Sequence, residues 1–132
     1  MNDKIELSLP RKSEYVSVAR LTASVIANNM GFNFEDIEDI KVAVGEACNN
    51  VIMHCVECEE FTINFEIDKD SFIAVIKDFG RGFNLENYKA PNLADPSVGG
   101  LGLFIIKSLM DEVDVNSEIG NGTSITMKKK IN

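Results

Sequence analysis

The residues that could do chemistry fall in separate stretches of the chain, and the first holds Glu46 and Asn50. A spacing of four positions puts both side chains on one edge of a helix. A carboxylate and a carboxamide offer the hard oxygens that suit Mg²⁺, an ion that keeps several waters and takes few protein ligands. The alternative is that both are ordinary polar residues beside an apolar helix face.

The second stretch, Asp78-Phe-Gly-Arg-Gly82, closely follows an apolar segment that predicts a strand. A carboxylate at a strand end can accept a hydrogen bond from an exocyclic amine, such as that of adenine. Gly80 and Gly82 permit close backbone approach and unusual dihedral angles. A plain turn after a strand would show the same pattern, so this stretch by itself does not decide the function.

The third stretch is glycine-rich and opens a predicted helix, with Gly100 and Gly102 at its start. Glycines there leave N–H groups free at the positive end of the helix, which favours phosphate oxygens. The stretch is not a Walker A motif, because no Gly-Lys-Ser/Thr follows, and no βαβ unit surrounds it. Farther on, Thr123 begins the last strand, where its hydroxyl could assist Asp78 at the base. A flexible helix start and an ordinary strand threonine remain the alternatives.

Each of these signals is weak alone, but their order along the chain is informative. A Glu/Asn helix, an Asp-x-Gly-x-Gly turn, a loop, a Gly-x-Gly helix start and a Gly-Thr strand follow one another. Together they predict one ATP site, with the loop over 79–99 as its lid. Loops of this length in compact domains are usually functional.

The elements that must position these residues follow from hydrophobic periodicity. Alternation predicts strands, and steps of three or four predict helices, the clearest being the apolar stripe that carries Glu46 and Asn50. The resulting order, β-α-α-β-β-loop-α-β-β, predicts an α/β fold: a two-layer sandwich with helices on one face of a mixed, mostly antiparallel sheet. The predicted elements are a strand over Lys4–Leu9, a helix from Ser13 to Gly31, a helix from Phe34 or Glu35 to Cys55, a hairpin of Phe61–Ile67 and Phe72–Ile76, a helix over Leu101–Met110, and strands at Val113–Val115 and Ser124–Met127.

Size and charge narrow the function classes. The 132 residues fit one domain, 1–132, and a hydrophobic content of 45% argues against disorder. A net charge of −8 argues against a surface that neutralises the phosphates of nucleic acid. The sequence shows no leader-like start and no apolar run of membrane-spanning length, so a cytoplasmic protein is expected.

The three cysteines are Cys48, Cys55 and Cys58. Without an export signal, reduced thiols are expected. The Cys-x-x-Cys spacing, with His54 before it, is compatible with a metal site or a redox site. A structural zinc site needs four ligands, however, and no second Cys or His cluster exists elsewhere in the sequence. The plainer interpretation is small residues at a helix end.

The combined motifs resemble those of the GHKL (Bergerat-fold) ATPases over nearly the whole chain. Glu46-Ala-Cys-Asn-Asn50 looks like the N box, Asp78 to Gly82 like the first glycine box, and Gly100 to Leu103 like the second. Within that superfamily the chain is most similar to bacterial anti-sigma factors with serine kinase activity, of the sporulation and general-stress type. The stretches that carry this likeness outside the nucleotide site are 14–22, 37–44 and 109–113.

The resemblance implies roles for individual residues. Asn50 would hold Mg²⁺, Asp78 would bind the adenine amine, and Glu46 would be the general base. The phosphate acceptor would be a serine of an anti-anti-sigma factor. Arg20 matches a position that docks both the sigma factor and that antagonist, although a solvated helix arginine is the alternative. Family members are homodimers, and one sigma factor straddles the pair.

Two departures from the family pattern bear on partner choice. Position 49 is Asn where the family usually has Thr, and Cys55-Val56 follows His54 where a small residue and Tyr are usual. A detached histidine-kinase catalytic domain is disfavoured, because such kinases need a separate phosphoacceptor helix that carries a histidine, and the only histidine, His54, lies on the same helix as the N box. The main alternative is an ATP-dependent module that sequesters a partner without phosphorylating it; the presence of Glu46 favours the kinase.

Overall fold

The computed structural model describes residues 2–82 and 100–132. The order of its helices and strands is the one predicted from the sequence. The elements are β1 (Asp3–Pro10), a 3₁₀ turn (Ser13–Tyr15), α1 (Val16–Met30), α2 (Phe34–His54), β2 (Glu60–Asp68), β3 (Ser71–Asp78), α3 (Gly100–Leu109), β4 (Glu112–Glu118) and β5 (Gly122–Lys130).

The five strands form one sheet in the order β1-β2-β3-β5-β4. The sequence predicted a mixed, mostly antiparallel sheet. Each neighbouring pair in the described residues is antiparallel, so the described sheet has no parallel pair. The register of β3 and β5 sets Asp78 opposite Thr123. The central strand β3 therefore places Asp78 next to the start of β5.

One face of the sheet is covered by the helices, which confirms the predicted two-layer sandwich. Strand residues alternate between a buried face and a more exposed one, as half-covered antiparallel strands do. The register pairs Ile63 with Ile76, and Ile76 in turn with Ile125, on the buried face. The fully buried large side chains of the sheet are Phe61, Ile63, Phe65, Phe72, Ile76, Ile125 and Met127.

Helix α2 lies between α1 and α3 and makes extensive contacts with both. Its first turn is capped by Asn33, whose Oδ1 accepts a hydrogen bond of 2.8 Å from the Asp36 N–H. Its apolar stripe is buried at Ile40, Val44 and Val51. Because the stripe holds one side of α2 against the sheet, Glu46 and Asn50 are left at the edge of that buried face.

Most of the loop predicted over 79–99, namely residues 83–99, lies outside the described residues. The prediction that this loop is a lid concerns the same residues. Within the described residues, no helix combines the length and the apolar character needed to cross a membrane.

Candidate nucleotide site

Asp78 ends β3 with its side chain almost completely buried, at 7% exposure. Its Oδ1 accepts two backbone hydrogen bonds, from the Gly80 N–H at 3.0 Å and from the Thr123 N–H at 3.2 Å. Its other carboxylate oxygen has no partner among the described residues. A buried acceptor of this kind favours a donor supplied by a ligand, because an unpaired buried polar atom is costly.

Thr123 reaches Asp78 through its backbone and not through its hydroxyl. The hydroxyls of Thr123 and Ser117 lie 2.7 Å apart and share a hydrogen bond, while the Thr123 N–H donates to Asp78 Oδ1. The sequence prediction that the hydroxyl assists at the base therefore stays a prediction about a bound ligand. In the protein itself, Thr123 positions the carboxylate of Asp78.

The turn after β3 packs directly against the turn between β4 and β5. The Arg81 carbonyl accepts a hydrogen bond of 2.6 Å from the Gly120 N–H. Gly82 has a φ of +69°, and a methyl group on it would overlap the carbonyl oxygen of Glu118. Only glycine fits this backbone without strain. The first glycine box is thus held on one side by the β4–β5 turn.

A cavity of about 270 Å³ opens beside Asp78. It brings together residues that are far apart in the sequence, since α2, the turn after β3 and the start of β5 all contribute to its wall. Among the lining residues are Asn50, Cys55, Glu57, Asp78, Gly82 and Thr123. Four of these six were predicted from the sequence as nucleotide ligands.

Glu46 lies one helical turn before Asn50, and α3 approaches it through Gly102. A methyl group on Gly102 would lie 3.4 Å from the Glu46 Oε2, which is ordinary contact. The second glycine box and the Glu/Asn edge of α2 therefore meet. Neither the Glu46 carboxylate nor the Asn50 amide has a hydrogen-bond or ion-pair partner within 2–82 and 100–132. Two neighbouring side chains with unpaired oxygen atoms fit the coordination of a hydrated Mg²⁺ ion.

Gly100 is the first residue of α3, one position before the predicted start at Leu101, and residues 83–99 lie outside the described ranges. Phosphate binding by Gly100 and Gly102 remains a prediction from the helix-terminus argument. Gly80, the remaining glycine of the predicted site, packs against the sulfur of Cys55, where a methyl group would overlap it.

Arg20 is exposed on α1, and its aliphatic stem crosses α2 at Gly45. A methyl group on Gly45 would lie 3.1 Å from the Arg20 Cδ. The predicted partner-binding arginine is therefore next to the residue that precedes Glu46. Its guanidinium has no hydrogen bond or ion pair in the described part of the chain.

The segment after α2 differs from the sequence expectation. Reduced thiols were expected, but Cys55 and Cys58 form a disulfide. A separation of three residues at a helix end brings their Cα atoms to 5.4 Å, within the range that a disulfide requires. The sulfurs and an Asp78 oxygen lie within 4.8 Å of one another, but sulfurs that are bonded to each other are not thiolate ligands.

Sequence reasoning also missed Glu57 and Arg11. Glu57 lines the cavity, and Arg11 donates to the carbonyl groups of Ile52, Val56 and Cys58 at 2.6, 3.3 and 2.8 Å. The Cys-x-x-Cys spacing was the one signal that pointed at this segment. No local pattern indicates that an arginine 41 to 47 positions away would bind its carbonyls.

Comparison with known proteins decides the family. The model of the histidine kinase-like ATPase domain matches residues 9–129. A serine-protein kinase RsbW from Oceanobacillus iheyensis is 44% identical, over 98% of this chain and 87% of the relative. The serine-protein kinase RsbW of Listeria innocua is 41% identical, over 100% of this chain and 90% of the relative. The chain belongs to the RsbW family.

Solved structures support the same fold for this RsbW-family chain. The crystal structure of the RsbU and RsbW domains of a Mycobacterium tuberculosis protein superposes with a TM-score of 0.71 at 16% identity, covering 97% of this chain and 32% of that one. A histidine kinase domain from Erythrobacter litoralis gives 0.59 at 18% identity, covering 93% and 62%. The family and the fold implied by the sequence motifs are both confirmed.

Proposed function

We propose that this RsbW-family protein binds Mg-ATP in the cavity beside Asp78, phosphorylates a serine of an anti-anti-sigma factor, and binds and inhibits a sigma factor. One observation carries the proposal: Asp78, Asn50 and Thr123 line a single cavity, although they lie on three different elements. Relatives named serine-protein kinase at about 40% identity support the kinase activity. The proposal treats 1–132 as one ATP-binding unit.

The residues divide between the two ends of the nucleotide. The second carboxylate oxygen of Asp78 accepts a hydrogen bond from the adenine amine, and the backbone of Gly80 and Gly82 allows the adenine ring to approach. The N–H groups at the start of α3 would bind the phosphate oxygens. Asn50 would hold Mg²⁺, and the ion would supply neutralisation of charge on the phosphate oxygens.

Glu46 is the proposed general base. It lies one turn before the metal ligand, and its carboxylate is unpaired in the described residues, so it can accept the proton of a serine hydroxyl. Phosphoryl transfer depends mostly on positioning and charge neutralisation, with a carboxylate to receive that proton. The contact with Gly102 holds Glu46 next to the helix that binds the phosphates.

Partner binding is proposed at the exposed face of α1. Arg20 docks both the sigma factor and its antagonist, which makes their binding mutually exclusive. We further propose a homodimer that one sigma factor spans. We also propose that the protein acts in the cytoplasm, where a sigma factor would meet RNA polymerase.

Glu46→Gln tests the kinase proposal directly. The variant should still bind Mg-ATP with unchanged affinity and should lose serine phosphorylation by about 100-fold or more, the scale of a lost general base. Glu35→Gln, exposed in the first turn of α2, is the matched control and should phosphorylate normally. Binding is measured by calorimetry and transfer with labelled ATP and the co-purifying antagonist.

Partner capture supplies the second arm of this test. A pull-down from the source cell should retain a sigma factor with ATP and a small serine-bearing antagonist with ADP. If the ATP sample retains the sigma factor but no phosphorylation occurs, the protein sequesters its partner without being a kinase. If Glu46→Gln phosphorylates like the unaltered protein, the base assignment is wrong.

A further inference from the structure

The Cys55–Cys58 disulfide lies at the C-terminal end of α2, where the helix meets the nucleotide cavity. Cys55 is the C-terminal cap residue, and its N–H donates to the Val51 carbonyl at 2.8 Å. The Cys58 N–H donates to the Cys55 carbonyl at 3.0 Å, which closes a tight turn. Cys55 is buried at 5% exposure, whereas Cys58 is half-buried. The pair can therefore be reached from solvent on its Cys58 side.

The disulfide is in direct contact with the first glycine box. A methyl group on Gly80 would overlap the Cys55 sulfur, and it would lie 3.2 Å from the sulfur of Cys58. The backbone of the turn after β3 thus rests on both sulfurs. Any change in the space that the two sulfurs occupy is transmitted to Gly80, two residues from Asp78.

Glu57, between the two cysteines, makes a second link to the same turn. Its Oε1 accepts a hydrogen bond of 2.8 Å from the Arg81 N–H. This hydrogen bond lowers the pKa of Glu57, with the charges of Arg81 and Arg11 adding to the effect. The position of the 55–58 segment therefore sets the position of the Glu57 carboxylate, and through it the backbone at Arg81.

The same segment forms part of the cavity wall. Cys55, Val56 and Glu57 line the cavity together with Asn50 and Asp78. A movement of the segment thus changes the shape of the cavity as well as the position of the glycine box.

The third cysteine provides an internal contrast. Cys48 lies in the core of α2 with no exposure, and burial raises its pKa to about 12. It remains a neutral thiol at physiological pH, and a neutral thiol does not attack a disulfide. Thiol chemistry in this protein is therefore confined to Cys55 and Cys58.

We propose that Cys55 and Cys58 form a reversible redox pair that couples the thiol–disulfide state of the cell to nucleotide affinity at the adjoining cavity. The inference rests on the nucleotide site proposed above and adds a mode of regulation to it. The oxidant is a low-molecular-weight disulfide, such as glutathione disulfide or its bacterial equivalents.

The exchange balances as two successive displacements. The Cys58 thiolate attacks one sulfur of the small disulfide, which forms a mixed disulfide and releases one small thiolate. The Cys55 thiolate then attacks the Cys58 sulfur, which forms the intramolecular bond and releases the second small thiolate. The protein loses two electrons and two protons, and the small disulfide gains both to become two thiols.

The geometry also gives the direction of the effect. Two thiols in van der Waals contact are farther apart than two bonded sulfurs, so reduction enlarges the pair where Gly80 lies against it. Reduction also removes the covalent constraint on the segment that carries Glu57, which leaves the segment held by the Arg11 hydrogen bonds. The oxidised form therefore binds nucleotide more tightly, and the reduced form less tightly.

The test uses the full chain equilibrated in glutathione buffers from fully reduced to fully oxidised. Alkylation of free thiols followed by mass spectrometry reports the Cys55–Cys58 bond, and calorimetry with Mg-ATP reports affinity in each state. We expect a disulfide between these two residues alone, and a Kd about threefold to tenfold lower in the oxidised protein, the scale of one lost hydrogen bond.

Two variants serve as controls. The double variant Cys55→Ser, Cys58→Ser should bind Mg-ATP like the reduced protein and should not respond to glutathione. Cys48→Ala removes the buried thiol and should keep the full response. If the double variant responds like the unaltered protein, the coupling does not run through this pair and the inference is wrong.

The remaining outcomes separate this inference from the proposed function. Equal affinity in both redox states, or a pair that stays reduced in fully oxidised glutathione, overturns the redox coupling and leaves the nucleotide site intact. Absence of Mg-ATP binding in both states overturns the nucleotide site, and the coupling with it.

Discussion

The two ends of α2 are held by different kinds of contact. At the N-terminal end, Asn33 caps the helix and Asp36 lies 3.9 Å from Lys129, which in turn donates to the Leu109 carbonyl at 2.6 Å. At the C-terminal end, Arg11 binds three carbonyl groups and the Cys55–Cys58 disulfide closes the turn. Only the second end lines the cavity beside Asp78.

The difference separates stability from function within one helix. The N-terminal contacts connect α2 to α3 and β5, so their loss should weaken the fold and leave the cavity unchanged. The C-terminal contacts shape the cavity wall and position the first glycine box, so their loss should change nucleotide affinity as well. Four substitutions test this division, taken from the largest expected effect to the smallest.

Ile40→Ala should have the largest effect of the four substitutions, and it should change only the stability of the fold. Ile40 is fully buried in the N-terminal half of α2, so truncation should lower the free energy of unfolding by about 2–5 kcal/mol. Urea unfolding measures this, and Mg-ATP affinity of the folded variant should be unchanged. Val42→Ala, at a position 39% exposed on the same helix, should stay within about 0.5 kcal/mol of the unaltered protein. A weakened affinity in Ile40→Ala would contradict the division.

Arg11→Gln should affect both properties. Three carbonyl groups at the end of α2 lose a charged donor, which should cost about 1–3 kcal/mol in unfolding free energy. Because the freed segment lines the cavity, Mg-ATP should also bind several-fold more weakly by calorimetry. Lys12→Gln removes a neighbouring exposed charge and should change neither. An unchanged affinity in Arg11→Gln would show that the segment does not shape the cavity.

Asn33→Ala removes the N-terminal cap of α2. The loss of the hydrogen bond to the Asp36 N–H should lower the unfolding free energy by about 1 kcal/mol, with no change in Mg-ATP affinity. Asn33→Asp keeps an acceptor at the cap and should be close to the unaltered protein in thermal unfolding. Equal losses in both variants would assign the effect to something other than the cap.

Glu57→Gln should have the smallest effect on stability, and that effect should depend on pH. The hydrogen bond from the Arg81 N–H lowers the pKa of Glu57 below its ordinary value of 4.5. The stabilisation is therefore complete above that value and is lost as the pH falls through the lowered pKa of the folded state. Urea unfolding at pH 7 should separate the variant slightly from the unaltered protein, and the two should converge in acid.

The matched control for this titration is Glu59→Gln, an exposed carboxylate two residues away with no hydrogen bond to the glycine box in the described residues. It should track the unaltered protein at every pH. A difference between Glu57→Gln and the unaltered protein that persists in acid would mean that the charge of Glu57 does not contribute through this hydrogen bond.

Much of the fold was predictable because it depends on local patterns. Gly31 ends α1 as predicted, and α2 begins at Phe34, one of the two starts predicted for it. The hairpin boundaries moved outward by only one or two residues, because strand pairing extends regular structure beyond the apolar positions that reveal it. The all-antiparallel pairing was not predictable, since strand order depends on contacts between distant segments.

The sequence by itself determined the element order and nominated the candidate site residues, because periodicity and motif spacing are local properties. Only the tertiary structure decided that the backbone N–H of Thr123, and not its hydroxyl, donates a hydrogen bond to Asp78. It also decided that Cys55 and Glu57 line the cavity, and that Arg11 holds the segment that carries them. Those contacts join segments 24 to 47 positions apart, and such distances are set by how the sheet and the helices pack.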